Sequence, residues 1–346
     1  MTPDRQTIVE VQYLRAIAVL LVFFGHAHQN EARFFSDTAF GDYMFFGFSG
    51  VDVFFVISGF IIHTLYKHRE GLDPFFYLQR LNRIFPMYWL FTLGAILGYT
   101  LVLGGQFSQV TQNTDWLRTL TLWPGNDMPL LPVAWTLTHE LYFYLVYAVF
   151  LAAPMRWRPY LVAGWFTITC IGLAIPDHAE HPVIQLIISP FNFLFLVGAL
   201  MAEFRTRLEG MQLVAAILTL VGLVLGLVYC AVYGVAGLEN AAIRVAVFAP
   251  FAVGLSALLL SWRPVWPGSF VRIGDWSYVL YLGHTLVLDV SARFLARFID
   301  GSGLASPIYY VSGLIAVLIM AGIAHHLFER PALRLGKQLI SGRLRR

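Results

Sequence analysis

The chain reads as long apolar runs separated by short polar breaks, and the runs are of membrane length. A transmembrane helix needs about 20 consecutive mostly apolar residues. Ten segments meet that pattern, near 9–28, 44–66, 86–104, 132–153, 159–176, 183–203, 213–234, 241–261, 273–292 and 307–328. They predict an all-α polytopic membrane protein of about ten helices. The longest break is near 105–131, where Gly, Gln, Asn, Asp and Pro gather with Trp116 and Trp123. That stretch is expected to cap the outer face. The first run is the least apolar, since it carries Glu10, Gln12 and Arg15. It does not read as a signal peptide, because Arg15 stands at the start of its apolar core and Gly25-His26-Ala27-His28 makes a poor cleavage site.

Lys and Arg set the orientation. With the N-terminus inside, 17 of them fall on the cytoplasmic side and five on the outer side, Arg33, Arg118, Arg244, Arg293 and Arg297, with Arg15 inside the first span. The expected topology is therefore N-in, C-in. Composition agrees: 58% of residues are hydrophobic and 12% charged, about half the charged share of a soluble domain. Residues 1–346 read as one membrane domain, with a core over about 9–328 and a short basic cytoplasmic tail over 329–346. No fused soluble domain is expected. Leu333, Leu335, Leu339, Ile340 and Leu344 alternate with Arg and Lys in the tail, as in an interfacial helix on an anionic leaflet. Cys170 and Cys230 both lie in apolar runs and suggest neither a disulfide framework nor a metal site.

Against this background the polar residues inside the spans carry the information. A charged side chain near a bilayer centre costs roughly 2.5–3.5 kcal/mol on insertion scales, so it marks function by default. Arg15 and His26 are eleven residues apart in the first span. On a helix that puts them about 20° apart on one face and about 16 Å apart along the axis. One helix thus offers a fixed cation toward one side of the membrane and a titratable imidazole toward the other.

Four further clusters follow. Gly47-Phe-Ser-Gly-Val-Asp52 opens the second span and leads to Ser58-Gly59-Phe60. Its small residues suit close helix packing, and Asp52 needs a cation, a helix terminus or a catalytic task. Arg80 and Arg83, three apart at the mouth of the third span, face the same way on a helix. Paired guanidiniums suit phosphates, although any cytoplasmic helix end attracts arginine. Trp135, His139 and Glu140 open the fourth span, where a carboxylate beside an imidazole can serve proton transfer. Tyr281 and His284 lie in the ninth, and His325 and His326 at the cytoplasmic end of the last.

Taken in order, these clusters resemble the membrane acyltransferase 3 family. Its R/K-x₁₀-H motif is matched by Arg15 and His26, and its G-V-D-x-F-F-x-x-S-G-F block by Gly50 through Phe60. Its R-x-x-R pair is matched by Arg80 and Arg83, and its W-x-L-x-x-E-x-x-F-Y block by Trp135 through Tyr144. The late S-Y-x-x-Y-L-x-H and E-[KR]-P signatures are matched by Ser277 to His284 and by Glu329-Arg330-Pro331. Where many members carry a second acid after the Trp-block glutamate, this chain has Leu141.

The resemblance implies O-acylation of a carbohydrate, with an acyl-CoA donor from the cytoplasm and no permanently bound cofactor or metal. The acyl group would be acetyl or, alternatively, succinyl. The acceptor would be a polysaccharide precursor or lipid-linked saccharide at a bacterial inner (cytoplasmic) membrane, with membrane lipids as partners and nucleic acid not among them. His26 becomes the expected general base with Glu140 supporting it. Arg80 and Arg83, with Arg15, become the expected donor-binding groups. Asp52, Ser58, Trp135, Tyr281 and His284 serve substrate or support. Buried Arg, Asp, Glu and His would equally suit a proton-coupled transporter or flippase of a polysaccharide precursor. A carrier often shows repeated halves, and none is visible here.

Overall fold

The computed structural model describes residues 8–36, 38–69, 71, 75–103, 114–174, 181–300 and 302–343. Residues 1–7, most of the first half of the expected outer cap (104–113) and the end of the tail (344–346) lie outside the described residues. Among the described residues the chain is helical with no strand. Seven described helices are long and apolar enough to cross a membrane. The remaining expected spans, near 86–104, 132–153 and 159–176, are helical too. Of these, the helix Trp135–Ala152 carries His139 and Glu140, and Arg158–Leu173 is only 16 residues long.

The chain forms two compact units, residues 1–65 with 194–278 and residues 66–193 with 279–346. The first is built on α1 (Val9–Phe34), a tight turn over Asp42–Phe48 and α2 (Ser49–Tyr66). The second contains α3 (Phe76–Leu103), the short α4 (Trp116–Thr121), α5 (Trp135–Ala152), α6 (Arg158–Leu173) and the short α7 (Pro182–Ile187). Helix α8 (Phe191–Glu203) begins in the second unit and continues into the first. The short α9 (Arg205–Leu208) then leads to α10 (Gln212–Tyr233) and α11 (Ala241–Trp262), which pack as a pair. The long α12 (Gly268–Ile299) also passes from one unit to the other. Helix α13 (Ala305–Ala324), a π-turn over His325–Glu329 and the amphipathic α14 (Arg330–Arg343) close the second unit.

Small residues decide the packing of the first unit. Without a hydrophobic drive between helices in lipid, close van der Waals contact is what holds them. Gly59 of α2 lies against the carbonyl of Phe195 on α8, and Gly198 of α8 lies against the carbonyl of Val56 on α2. A Cβ at either position would overlap backbone, so the two helices touch main chain to main chain at this crossing.

Arg158 holds the second unit at the base of α5 and α6. Its guanidinium donates to the carbonyls of Lys67, Arg69, Leu151 and Ala153 at 2.8–3.3 Å. By sequence it is one more cytoplasmic charge; in the fold it is buried, serving backbone groups that no helix satisfies. The π-turn similarly buries His325, whose ring meets the Glu329 carboxylate at 2.5 Å. Helix α14 then packs on α3, with Gly336 against the Asn82 side chain.

Two outcomes follow from this packing. Gly59→Leu or Gly198→Leu should destabilise the protein by about 1–3 kcal/mol, the usual cost of overpacking. Gly94→Leu and Gly98→Leu, where α3 has open space, should be near neutral. Thermal unfolding of detergent-purified protein reads the contrast, and equal losses at all four positions would refute it. Arg158→Met should cost roughly 1.5–3 kcal/mol, the worth of hydrogen bonds made by a charged group. An unchanged unfolding midpoint would show that its carbonyl contacts carry no net stability.

Candidate functional site

Of the residues singled out by sequence, Arg15, His26, Asp52 and Ser58 fall in the first unit. Helix α1 is continuous from Val9 to Phe34, so the shared face of Arg15 and His26 is preserved. The Arg15 guanidinium donates to the Gln12 side chain one turn earlier at 3.4 Å. His26 is half-buried, and its Nδ1–H donates to the Val22 carbonyl at 3.1 Å. A carbonyl only accepts, so this bond places the proton of the neutral ring on Nδ1. The ring sits edge-on to Phe48, with centroids 4.8 Å apart.

Asp52 lies in the first turn of α2 and is fully buried. Its partner is Arg244, from the first turn of α11, at 3.4 Å. By sequence that arginine is one of five outer-side charges, and the cation for Asp52 is unnamed. The pairing is between residues 192 apart in the chain, and no local spacing announces it. The usable signal was the need for a cation opposite an intramembrane carboxylate, which names a residue type and no position. Ser58 is half-buried on α2. Six residues beyond Asp52, it points about 120° away around the helix.

The second unit holds Arg80, Arg83, Trp135, Glu140, Tyr281 and His284. Glu140 and Tyr144 are one turn apart on α5, and the Tyr144 hydroxyl donates to the Glu140 carboxylate. The Arg80 guanidinium lies 5.8 Å from the centre of the Tyr144 ring, 5.6 Å from that of Tyr66 and 5.9 Å from that of Phe76. It also donates to the Tyr66 hydroxyl at 3.1 Å. The charges of Arg80 and Arg83 both act on Tyr144. Sequence reading placed the arginines at a cytoplasmic mouth and Glu140 deeper in the outer half; the fold links them through one tyrosine. Phe76 stacks on Tyr147 across α3 and α5, which sets that alignment.

The remaining residues build the entrance of α5. The Tyr281 hydroxyl donates to the Val133 carbonyl at 3.3 Å and lies 2.9 Å from the Thr136 hydroxyl. His284 is fully buried, and its Nδ1 donates to the Tyr281 carbonyl at 2.7 Å. Trp135 packs on Phe191 and His139. His139 spends both nitrogens locally, donating to the Trp135 carbonyl and accepting from the Ser189 hydroxyl, each at 3.1 Å. Both contacts satisfy the ring within the protein. No group of three or more His, Cys, Asp or Glu side chains fit to hold a metal occurs among the described residues.

Comparison with known proteins points one way. The acyltransferase domain model of the acyltransferase 3 family matches residues 8–326. The chain is 29% identical to the exopolysaccharide production protein ExoZ of Rhizobium meliloti (strain 1021), covering 86% of this chain and 93% of that one. It is 25% identical to the acyltransferase MdmB of Streptomyces mycarofaciens, covering 97% and 94%. It is 23% identical to the O-acetyltransferase OatA of Staphylococcus aureus, covering 84% of this chain and 53% of OatA. No solved structure gives a significant match. A family match over nearly the whole length, on a chain with several membrane-length apolar helices, leads to one conclusion: the chain belongs to the acyltransferase 3 family and is a multi-pass membrane acyltransferase.

Proposed function

We propose that this protein spans a bacterial inner membrane ten times, N-in and C-in, and moves an acyl group from cytoplasmic acyl-CoA to a carbohydrate hydroxyl. Acetyl is the favoured group, because one relative is by name an O-acetyltransferase. A surface or exopolysaccharide precursor is the favoured acceptor, because another is by name an exopolysaccharide production protein. The observation that carries the reading is the His26 ring, half-buried with Nδ1–H tied to Val22. Such a ring is oriented, and imidazole is the side chain most often used as a general base.

In the proposed reaction, His26 Nε2 takes the proton of the acceptor hydroxyl as its oxygen attacks the thioester carbonyl. The tetrahedral intermediate collapses with cleavage of the C–S bond. The thiolate leaves and recovers the proton from the imidazolium, so the products are an ester and free coenzyme A. Arg80 and Arg83 bind the donor's phosphates, for which forked guanidiniums are suited. Arg80 is pre-ordered for this task by the three rings around it. Arg15 contacts the pantetheine arm, and Glu140 is the catalytic carboxylate. Asp52, Ser58, Trp135, Tyr281 and His284 support the substrates or the groups that bind them.

The reading is tested by acyl transfer from labelled acetyl-CoA to polysaccharide precursors with purified protein in liposomes. His26→Ala should lower kcat by on the order of 10²–10⁴-fold, the range for loss of a general base. Arg83→Ala should raise the donor KM by roughly tenfold with kcat within about twofold, the signature of lost uniform binding. Full turnover by His26→Ala removes the proposed base. Absence of donor consumption by any form, together with solute flux, would make the protein a carrier instead.

The tyrosine link makes a further prediction in the same assay. Tyr144→Phe, which removes one hydrogen bond to Glu140, should lower kcat by about 3–10-fold, and Glu140→Gln by about 10²-fold. Wild-type kcat in both variants would strip Glu140 of its catalytic role.

A further inference from the structure

Arg244 stands at the first turn of α11, and its side chain is 12% exposed. One nitrogen, Nη2, donates to two acceptors: the Phe48 carbonyl at 3.2 Å and the Asp52 carboxylate at 3.4 Å. These residues flank the start of α2, Phe48 ending the preceding turn and Asp52 lying in the first helical turn. Phe48 is also the residue whose ring packs edge-on against His26. Gly25, immediately before His26, makes room for that ring; a Cβ there would stand 3.1 Å from it. A single guanidinium therefore holds both the backbone of Phe48, whose ring packs on His26, and the Asp52 carboxylate.

Stability does not account for the arrangement. Replacing a buried ion pair by packed apolar residues is often neutral or stabilising. Here the carboxylate is fully buried, and its Oδ1 meets no donor among the described residues. Leaving a buried acceptor unmet costs about 1–3 kcal/mol, more when it is charged. A pair kept at such a cost, in contact with the residue that packs on His26, calls for a task.

We propose that Arg244 is a positioning residue for acyl transfer: it holds Phe48 and Asp52 so that the His26 ring keeps Nε2 directed at the acceptor hydroxyl. Its partners act at one remove from the reacting atoms, Phe48 by ring contact and Asp52 by fixing the guanidinium. The inference rests on the reading of His26 as the base. It adds a residue outside the motifs that carry the family resemblance.

The test measures kcat and donor KM in liposomes for wild type, Arg244→Gln, Arg244→Lys, Asp52→Asn and His26→Ala. Folded fractions are matched by size exclusion. Arg244→Gln should lower kcat by roughly 30–100-fold with donor KM within about threefold, since alignment is lost and donor binding is not. Arg244→Lys, which keeps the charge and can reach one acceptor, should recover about a third or more of that loss on a logarithmic scale. Asp52→Asn should fall between the two. Wild-type kcat in folded Arg244→Gln overturns the inference, as does a lysine variant no better than glutamine. If Arg244→Gln does not fold, Arg244→Lys and Asp52→Asn decide: lowered kcat at unchanged KM in both supports the role, and wild-type kcat in both refutes it. Full turnover by His26→Ala fells the assignment of the base and this inference with it. Loss of turnover in His26→Ala beside wild-type kcat in Arg244→Gln fells the inference alone.

Discussion

A polar or charged group carried into hydrocarbon has to find its partner inside the protein, because the solvent supplies none. Most of what is specific about this chain follows from that constraint. Asp52 meets Arg244, Glu140 meets Tyr144, and Arg80 is enclosed by three aromatic rings and bonded to one of their hydroxyls. His26 and His284 each satisfy Nδ1 on a backbone carbonyl of their own helix. Each of these groups is thereby oriented, and orientation is what a reacting or binding group needs. The cost of burying charge and the preorganisation of a site are met by the same contacts.

The histidines differ in the partners their rings meet. His139 and His26 both donate Nδ1–H to a carbonyl one turn back. The Nε2 of His139 accepts from Ser189. The ring of His26 meets the edge of Phe48. His325 is locked to Glu329 in the π-turn. These partners are set by the tertiary fold, and hydropathy or position in a span does not reveal them.

The apolar scaffold obeys a second rule, that helices in lipid gain little from burying leucine and much from close approach. Gly59 and Gly198 bring α2 and α8 into backbone contact, fixing the helix that carries Asp52. In the second unit, the stacked Phe76 and Tyr147 set α3 beside α5, which is why Arg80 comes to lie over Tyr144. Ordinary packing residues thus decide which charged groups meet.

The sequence by itself determined the class of protein, its all-helical nature among the described residues and the membership of its family. Those properties depend on local composition and on motifs in linear order, and a bilayer enforces helix wherever an apolar run is long enough. It also determined the shared face of Arg15 and His26, since helix geometry alone sets it. It marked Asp52 as needing a cation without being able to say which one. Tertiary structure decided that the cation is Arg244, 192 residues away, that Glu140 is held by Tyr144 beneath the Arg80 cage, and that Arg158 is buried on backbone carbonyls. Those pairings come from helix crossings set by glycines and aromatic rings, and the energy of such a contact depends on neighbours that linear spacing does not specify.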